Sequence, residues 1–300
     1  MSQVLHNDAI VKPPGILARL QASAGRTIRK LAEEPLGMAG FLILAMLVVV
    51  AVFAPLISPY GPNVQMLSDA LKPPSLAHLA GTDEFGRDIV SRLVWGTRIT
   101  IQTVLSVSVI VGPVGLIIGV VAGFFGGRTD AILMRATDIV LSFPSLILAL
   151  AFAAALGAGL NTAIIAISLT AWPPIARLAR AESLVVRNAD YVAAARLYGA
   201  SPVRILLLYI APMCIPSVIV RLTLNMAGII LTAASLGFLG LGAQPPSPEW
   251  GAMISSGRKF MLDYWWVAVM PGIAILLTSL AFNIVGDTLR DLLDPRHARS

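Results

Sequence analysis

The stretch ITIQTVLSVSVIVGPVGLIIGVVAGFF, Ile99 to Phe125, carries no Asp, Glu, Lys, Arg or His along its whole length. A helix rises about 1.5 Å per residue, so roughly 20 mostly apolar residues cross the ~30 Å hydrocarbon core of a bilayer. Working outward from this run, five more segments qualify: about Gly37 to Ile57 before it, then about Ile139 to Leu160, Asn161 to Ile175, Val203 to Leu236, and Tyr264 to Gly286. The run from Asn161 is short and is expected to stop at Trp172, Pro173 and Pro174, because proline lacks a backbone donor and breaks a helix. The pattern predicts an all-α polytopic membrane protein with about six transmembrane helices.

Composition agrees. The chain is 57% hydrophobic and 13% charged, against about 45–50% and about 25% for soluble domains. A net charge of +6 suits nucleic acid only when the basic residues form a stripe, and here they are scattered between apolar runs. Topology accounts for them instead. Lys12, Arg19, Arg26, Arg29 and Lys30 precede the first run, and Lys and Arg collect on the cytoplasmic side. Counting through six helices then places Arg128, Arg135, Arg177, Arg180, Arg187, Arg196, Arg204, Arg290, Arg296 and Arg299 on that same side, with both termini inside. The first run begins too far from the N-terminus, and is too long, for a cleaved signal.

The organisation expected from these runs is a cytoplasmic tail over residues 1–36, a first helix with an external segment over 37–98, a core membrane unit over 99–288, and a C-terminal tail over 289–300. Within the external part, Ser58 to Arg98 caps the outer mouth. Gly115, Gly119, Gly123 and Gly127 recur every four residues, the spacing that lets membrane helices approach closely.

Several chemistries are absent. A P-loop lysine is followed by Ser or Thr, whereas Lys12, Lys30, Lys72 and Lys259 precede Pro, Leu, Pro and Phe. No two of His6, His78 and His297 share a chelating spacing. The single cysteine, Cys214, lies in an apolar run beside Pro212 and Pro216, a packing position. No cofactor, metal or catalytic residue is expected on this chain. A secondary transporter commonly shows inverted halves and intramembrane acids, and neither is found.

Two polar features stand out. Arg177 to Arg204, RLARAESLVVRNADYVAAARLYGASPVR, is a polar helical loop before the fifth run. Its Ala193, Ala194 and Ala195 make a small-residue face, and Gly199, Ser201 and Pro202 turn the chain, a shape suited to docking in a partner's groove. Arg221 falls inside the fifth run, where an arginine costs roughly 2.5–3.5 kcal/mol unless it meets protein or water. Either it lines a pathway with Asn225, one helical turn away, and attracts a carboxylate, or it is a buried structural partner for another helix or for another subunit.

Ala194, Ala195, Gly199 and Pro212 resemble the loop signature of permease subunits of binding-protein-dependent ABC importers, with Ala193 in place of that signature's Glu. GTDEFGRDIVSRLVWGTR (81–98), ASLGFLGLGAQPPSPEWG (234–251) and GDTLRDLLDPR (286–296) resemble the second permease of the dipeptide, oligopeptide, nickel and glutathione branch, over about residues 35–297. The resemblance implies a type I importer transmembrane fold in a bacterial inner membrane and a helix from Tyr191 to Ser201, including Ala200, that couples to a separate ATPase. It also implies a second permease, two ATP-binding subunits that carry ATP and Mg, and a solute-binding protein. The implied cargo is dipeptides or oligopeptides, with nickel or glutathione on the same machinery as alternatives.

Overall fold

The computed structural model describes residues 34–293; the basic tail from Lys12 to Lys30, His6, His297, Arg296 and Arg299 lie outside them. Among the described residues, regular structure is helical apart from an isolated bridge between Thr82 and Asp88. Five helices are long and apolar enough to cross a membrane, or six spans if one bent pair is counted as a span.

Helix α1, Pro35–Val52, enters with its proline in the first turn, where a missing N–H costs nothing. It presents Phe41, Leu42, Met46 and Val49 outward, and lays Gly37 and Gly40 against Thr288 and Ile284 of the last helix. Helix α2, Ile89–Phe125, starts ten residues earlier than the apolar run suggested. Its 37 residues reach about 55 Å, so the first turns, with Arg92 and Arg98, extend beyond the hydrocarbon. Asp88 caps it by accepting from the Ser91 amide at 2.7 Å.

The expected third span, Ile139 to Leu160, is corrected by the structure. Helix α3, Gly127–Leu141, and helix α4, Ser145–Leu156, meet at 88°. Pro144 supplies the break, since it disfavours helical geometry at Phe143 and donates no bond itself. The expected stop at Pro173 and Pro174 is corrected in the other direction. Helix α5, Leu160–Ala171, runs on into α6, Pro173–Val186, as one span. Proline is tolerated in a first helical turn, and the carbonyl left free by Pro173, that of Leu169, accepts instead from the Trp172 indole at 3.1 Å. Arg177 to Val186 thus belong to a membrane-crossing rod and not to a loop.

Helix α7, Asp190–Leu197, follows, and after a turn the chain runs from Pro202 through a π-helical turn, Leu206–Ile210, into helix α8, Ala211–Phe238. Helix α9, Trp250–Gly257, is short, and helix α10, Trp266–Leu293, closes the bundle.

Helix α6 lies in the middle, packed on α2, α8 and α3. Of the four spaced glycines, three make the seam. A Cβ on Gly115 would come within 2.7 Å of Ile175, one on Gly119 within 2.3 Å of the Ala176 carbonyl, and one on Gly123 within 2.7 Å of Ser183. Gly127 is no part of this seam; its Cβ position is open and its φ is +53°, a turn position. Polar bonds fasten the same face: Ser183 Oγ donates to the Val120 carbonyl at 3.2 Å and Arg187 to the Gly123 carbonyl at 2.7 Å. Arg180 grips Asp130 with two donors, and Arg177 donates to Asp138 at 2.6 Å, so α3 is clasped along α6.

Candidate functional site

Helix α7 is the first candidate surface. Its C-terminus is locked by paired bonds, from the Gly199 amide to the Arg196 carbonyl and from the Ala200 amide to the Ala195 carbonyl, each 3.0 Å. This is a Schellman motif, and it needs a left-handed residue at Gly199, whose φ is +79°. The helix is therefore shorter than the expected Tyr191–Ser201. Ala200 lies in the turn, and Ser201 caps the next helix by accepting from the Arg204 amide.

The three alanines do not share a face. Ala195 is buried with Val192 in the hydrophobic core, which anchors α7, and Arg196 lies 6.0 Å over the Phe124 ring at the end of α2. Ala193, Ala194, Tyr191, Leu197 and Tyr198 point away from the bundle, with Leu197 89% and Tyr198 92% exposed. The result is an exposed, largely apolar ridge held at its base by core contacts and at its end by a rigid turn.

The second candidate lies within the spans. Arg221 is exposed on α8, so the reading of it as a buried partner within this chain does not hold. Asn225, on the same face, is partly buried, and its Nδ2 is out of solvent with no hydrogen-bond acceptor. Beside Asn225, the α3–α4 corner, the α5–α6 junction and α8 line a half-open pocket of about 330 Å³. Ser217 Oγ donates to Glu182 at 2.9 Å, tying α8 to α6, and Cys214 is fully buried in packing.

The third is a polar cap between α1 and α2. Asp83 is buried and accepts from the Phe85 and Arg87 amides at 2.9 and 3.0 Å and from Arg87 Nε at 2.6 Å, with Arg92 Nε at 3.6 Å. Asp88 Oδ1 meets His78 Nδ1 at 3.0 Å, and its Oδ2 accepts from Ser91 Oγ at 2.7 Å. Arg92 reaches the Pro62 carbonyl at 3.0 Å, and Trp266 donates to the Thr82 carbonyl at 3.3 Å. At the surface, the hydrogen bond from Lys72 holds the Asp69 carboxyl below its usual range. Glu249, buried at the start of α9, is pushed up by desolvation while the amides of Gly251 and Ala252 pull it down. Sequence reasoning left this cap's fold unread; the clustering of Asp and Arg in 81–98 was the available signal.

No group of three or more potential metal ligands occurs among the described residues. A close α2–α6 seam, a broken third span and a short projecting helix between two long spans make up a polytopic helical membrane fold. A chain in the solved inward-facing structure of the MetNI methionine ABC transporter has this fold, with a TM-score of 0.55 at 20% identity, over 68% of this chain and 97% of that one. Residues 115–299 match the family described as binding-protein-dependent transport system inner membrane component, and residues 24–74 match the N-terminal transmembrane domain of oligopeptide transport permease C.

Among curated relatives, the probable D,D-dipeptide transport system permease DdpC of Escherichia coli is 44% identical, over 91% of this chain and 92% of its own. The di/tripeptide permease DppC of Pseudomonas aeruginosa is 44% identical over 86% and 88%, and the E. coli dipeptide permease DppC 45% over the same shares. The chain belongs to the family of binding-protein-dependent transport system inner membrane components. It is an inner-membrane permease subunit of an ABC importer, not itself an enzyme.

Proposed function

We propose that this permease forms half of the translocation pathway for dipeptides or short oligopeptides and couples it to ATP hydrolysis on partner chains through α7. The exposed ridge of Tyr191, Ala194, Leu197 and Tyr198 on a helix fixed by Val192, Ala195 and the Gly199 turn carries this reading. A partner seated on that ridge moves α7 as a rigid piece, and α6 and α8, joined to it through the short turns on either side, move with it. The remaining partners are a second homologous permease, two ATP-binding subunits that hold ATP and Mg, and a solute-binding protein. With the N-terminus and C-terminus inside, α7 faces the cytoplasm and the cap of residues 58–88 meets the solute-binding protein. Arg221 and Asn225 face the pathway, since an exposed arginine at that depth does not face lipid. The relatives' names favour peptides over nickel or glutathione as cargo.

The test is tagged purification from detergent-solubilised membranes, wild type beside Ala194→Asp and Gly199→Asp. Ala194→Asp puts a charge on the ridge with the fold untouched, and it is expected to lose the P-loop subunits while retaining the second permease. Gly199→Asp, strained at φ +79°, does the same by misplacing the ridge. Co-purification of P-loop subunits undiminished by either variant sinks the assignment of α7. Recovery of a lone chain that transports on an ion gradient favours a secondary transporter instead.

A further inference from the structure

Arg221 is the only charged residue of α8, and the packing fixes its depth. Leu222 beside it would meet a Cβ on Gly112 at 3.2 Å, and Gly112 is the central residue of the charge-free run Ile99 to Phe125. Nearer the cytoplasm, Ser183 packs on Gly123. Its neighbour Glu182 meets α8 at Ser217, whose hydroxyl donates to Glu182 Oε1 at 2.9 Å. Ser217 and Arg221 stand four residues apart, on one side of α8 and about 6 Å along its axis.

A guanidinium and a carboxylate thus border α8 one turn apart, the first exposed and the second partly buried. Neither forms an ion pair with another described residue. Charges at membrane depth are costly unless protein or water meets them, and opposite charges so placed lower that cost by pairing. Left apart, they are complementary to a molecule that carries both signs. An anionic solute suits Arg221 and is repelled by Glu182; a cationic one meets the reverse. A zwitterion satisfies both, and two extended residues span at most about 7 Å between their ends.

Resting on the transport reading above, we propose that Arg221 and Glu182 form a two-ended site for a short zwitterionic peptide in transit. Arg221 donates to the peptide carboxylate and Glu182 Oε2 accepts from the terminal ammonium, while Ser217 holds Oε1. Arg221 lies toward the outer side and Glu182 toward the cytoplasm, so the peptide travels with its N-terminus leading. The occupied site also bridges α8 to α6, the two helices on either side of α7.

The test uses the full transporter in proteoliposomes, with its ATPase subunits and with the solute-binding protein saturated by radiolabelled dialanine. The maximal uptake rate is normalised to assembled complex. Arg221→Cys and Glu182→Cys are each expected to lower it about tenfold, the worth of a hydrogen bond to a charged group. Each is then treated with a cationic aminoethyl or an anionic sulfonatoethyl methanethiosulfonate. The native thiol, Cys214, is fully buried, and wild type treated in parallel is the control. The cationic adduct is expected to restore most of the lost rate to Arg221→Cys, and the anionic adduct to Glu182→Cys, with the opposite reagent restoring neither. A thiol at position 221 that stays unlabelled in the assembled transporter, or restoration that ignores the sign of the adduct, overturns the proposal while leaving peptide transport intact. Arg221→Gln combined with Glu182→Gln is expected to lose about a hundredfold, because the two ends of the solute are held independently. A double variant no slower than either single one shows that the two charges serve each other, and also overturns it. A wild-type assembly that takes up no dialanine overturns the peptide reading and this proposal with it.

Discussion

Gly119→Val drives α2 off α6, and the protein no longer accumulates as a monodisperse species in detergent. The new Cβ would lie 2.3 Å from the Ala176 carbonyl oxygen and 2.8 Å from the Arg180 amide nitrogen. Both are backbone atoms of a helix, so neither can swing aside as a side-chain tip does, and relief requires the whole of α6 to move. Overpacking typically costs about 1–3 kcal/mol and occasionally more, and contacts to rigid backbone place this site toward the upper end. The control is Gly272→Ala in α10, where nothing lies within 4 Å of the added methyl and helix propensity improves by up to about 1 kcal/mol. Thermal melting followed by size-exclusion chromatography separates the two. A Gly119→Val protein that melts with the wild type would show that the seam is not as close as described.

The second large effect is in the cap. Asp83→Ala leaves Arg87 and Arg92, 7% and 5% exposed, without their shared carboxylate. Breaking a buried ion pair from one side costs about 3–5 kcal/mol, because the surviving charge stays desolvated. It also removes the acceptor for the Phe85 and Arg87 amides. The expected result is protease cleavage within residues 58–88 in intact spheroplasts while the membrane spans remain protected. Asp83→Asn keeps a carbonyl acceptor and should be cleaved more slowly than Asp83→Ala. Equal resistance of all three proteins would mean that the cap is held by its contacts to Trp266 and Ser91 alone.

Most of the membrane architecture could be read from the chain because an uninterrupted apolar run has few alternatives to a spanning helix. Where the reading failed, a proline was weighed without its neighbours. Pro144 sits within the apolar run from Ile139 to Leu160, which reads as one span, yet it marks the corner at which α3 and α4 meet at 88°. Pro173 and Pro174 look like a stop, yet the Trp172 indole takes up the carbonyl left free by Pro173 and the span continues. The outcome at a proline depends on whether some other donor reaches the orphaned acceptor, and that is a tertiary fact.

The candidate surfaces divide the same way. The turn at Gly199 was legible because only a left-handed residue closes that motif. Which of Ala193, Ala194 and Ala195 faces outward was not, since three consecutive alanines carry no periodicity. The pocket beside Asn225 was hidden altogether. Its lining comes from segments far apart in the chain, and of its polar groups only Asn225 had a reason, the nearby Arg221, to be singled out.

The cap also orders events during synthesis. Thr82 and its partner Trp266 are 184 residues apart, and the indole fills the space beside Gly81, where a Cβ would meet it at 2.7 Å. The cap leaves the ribosome early, but its last wall arrives only when the final span has begun to insert. Until then Gly81 and the Thr82 carbonyl lack the indole that covers them, and docking of α10 supplies it. A chain truncated before Trp266 therefore leaves this wall of the cap open.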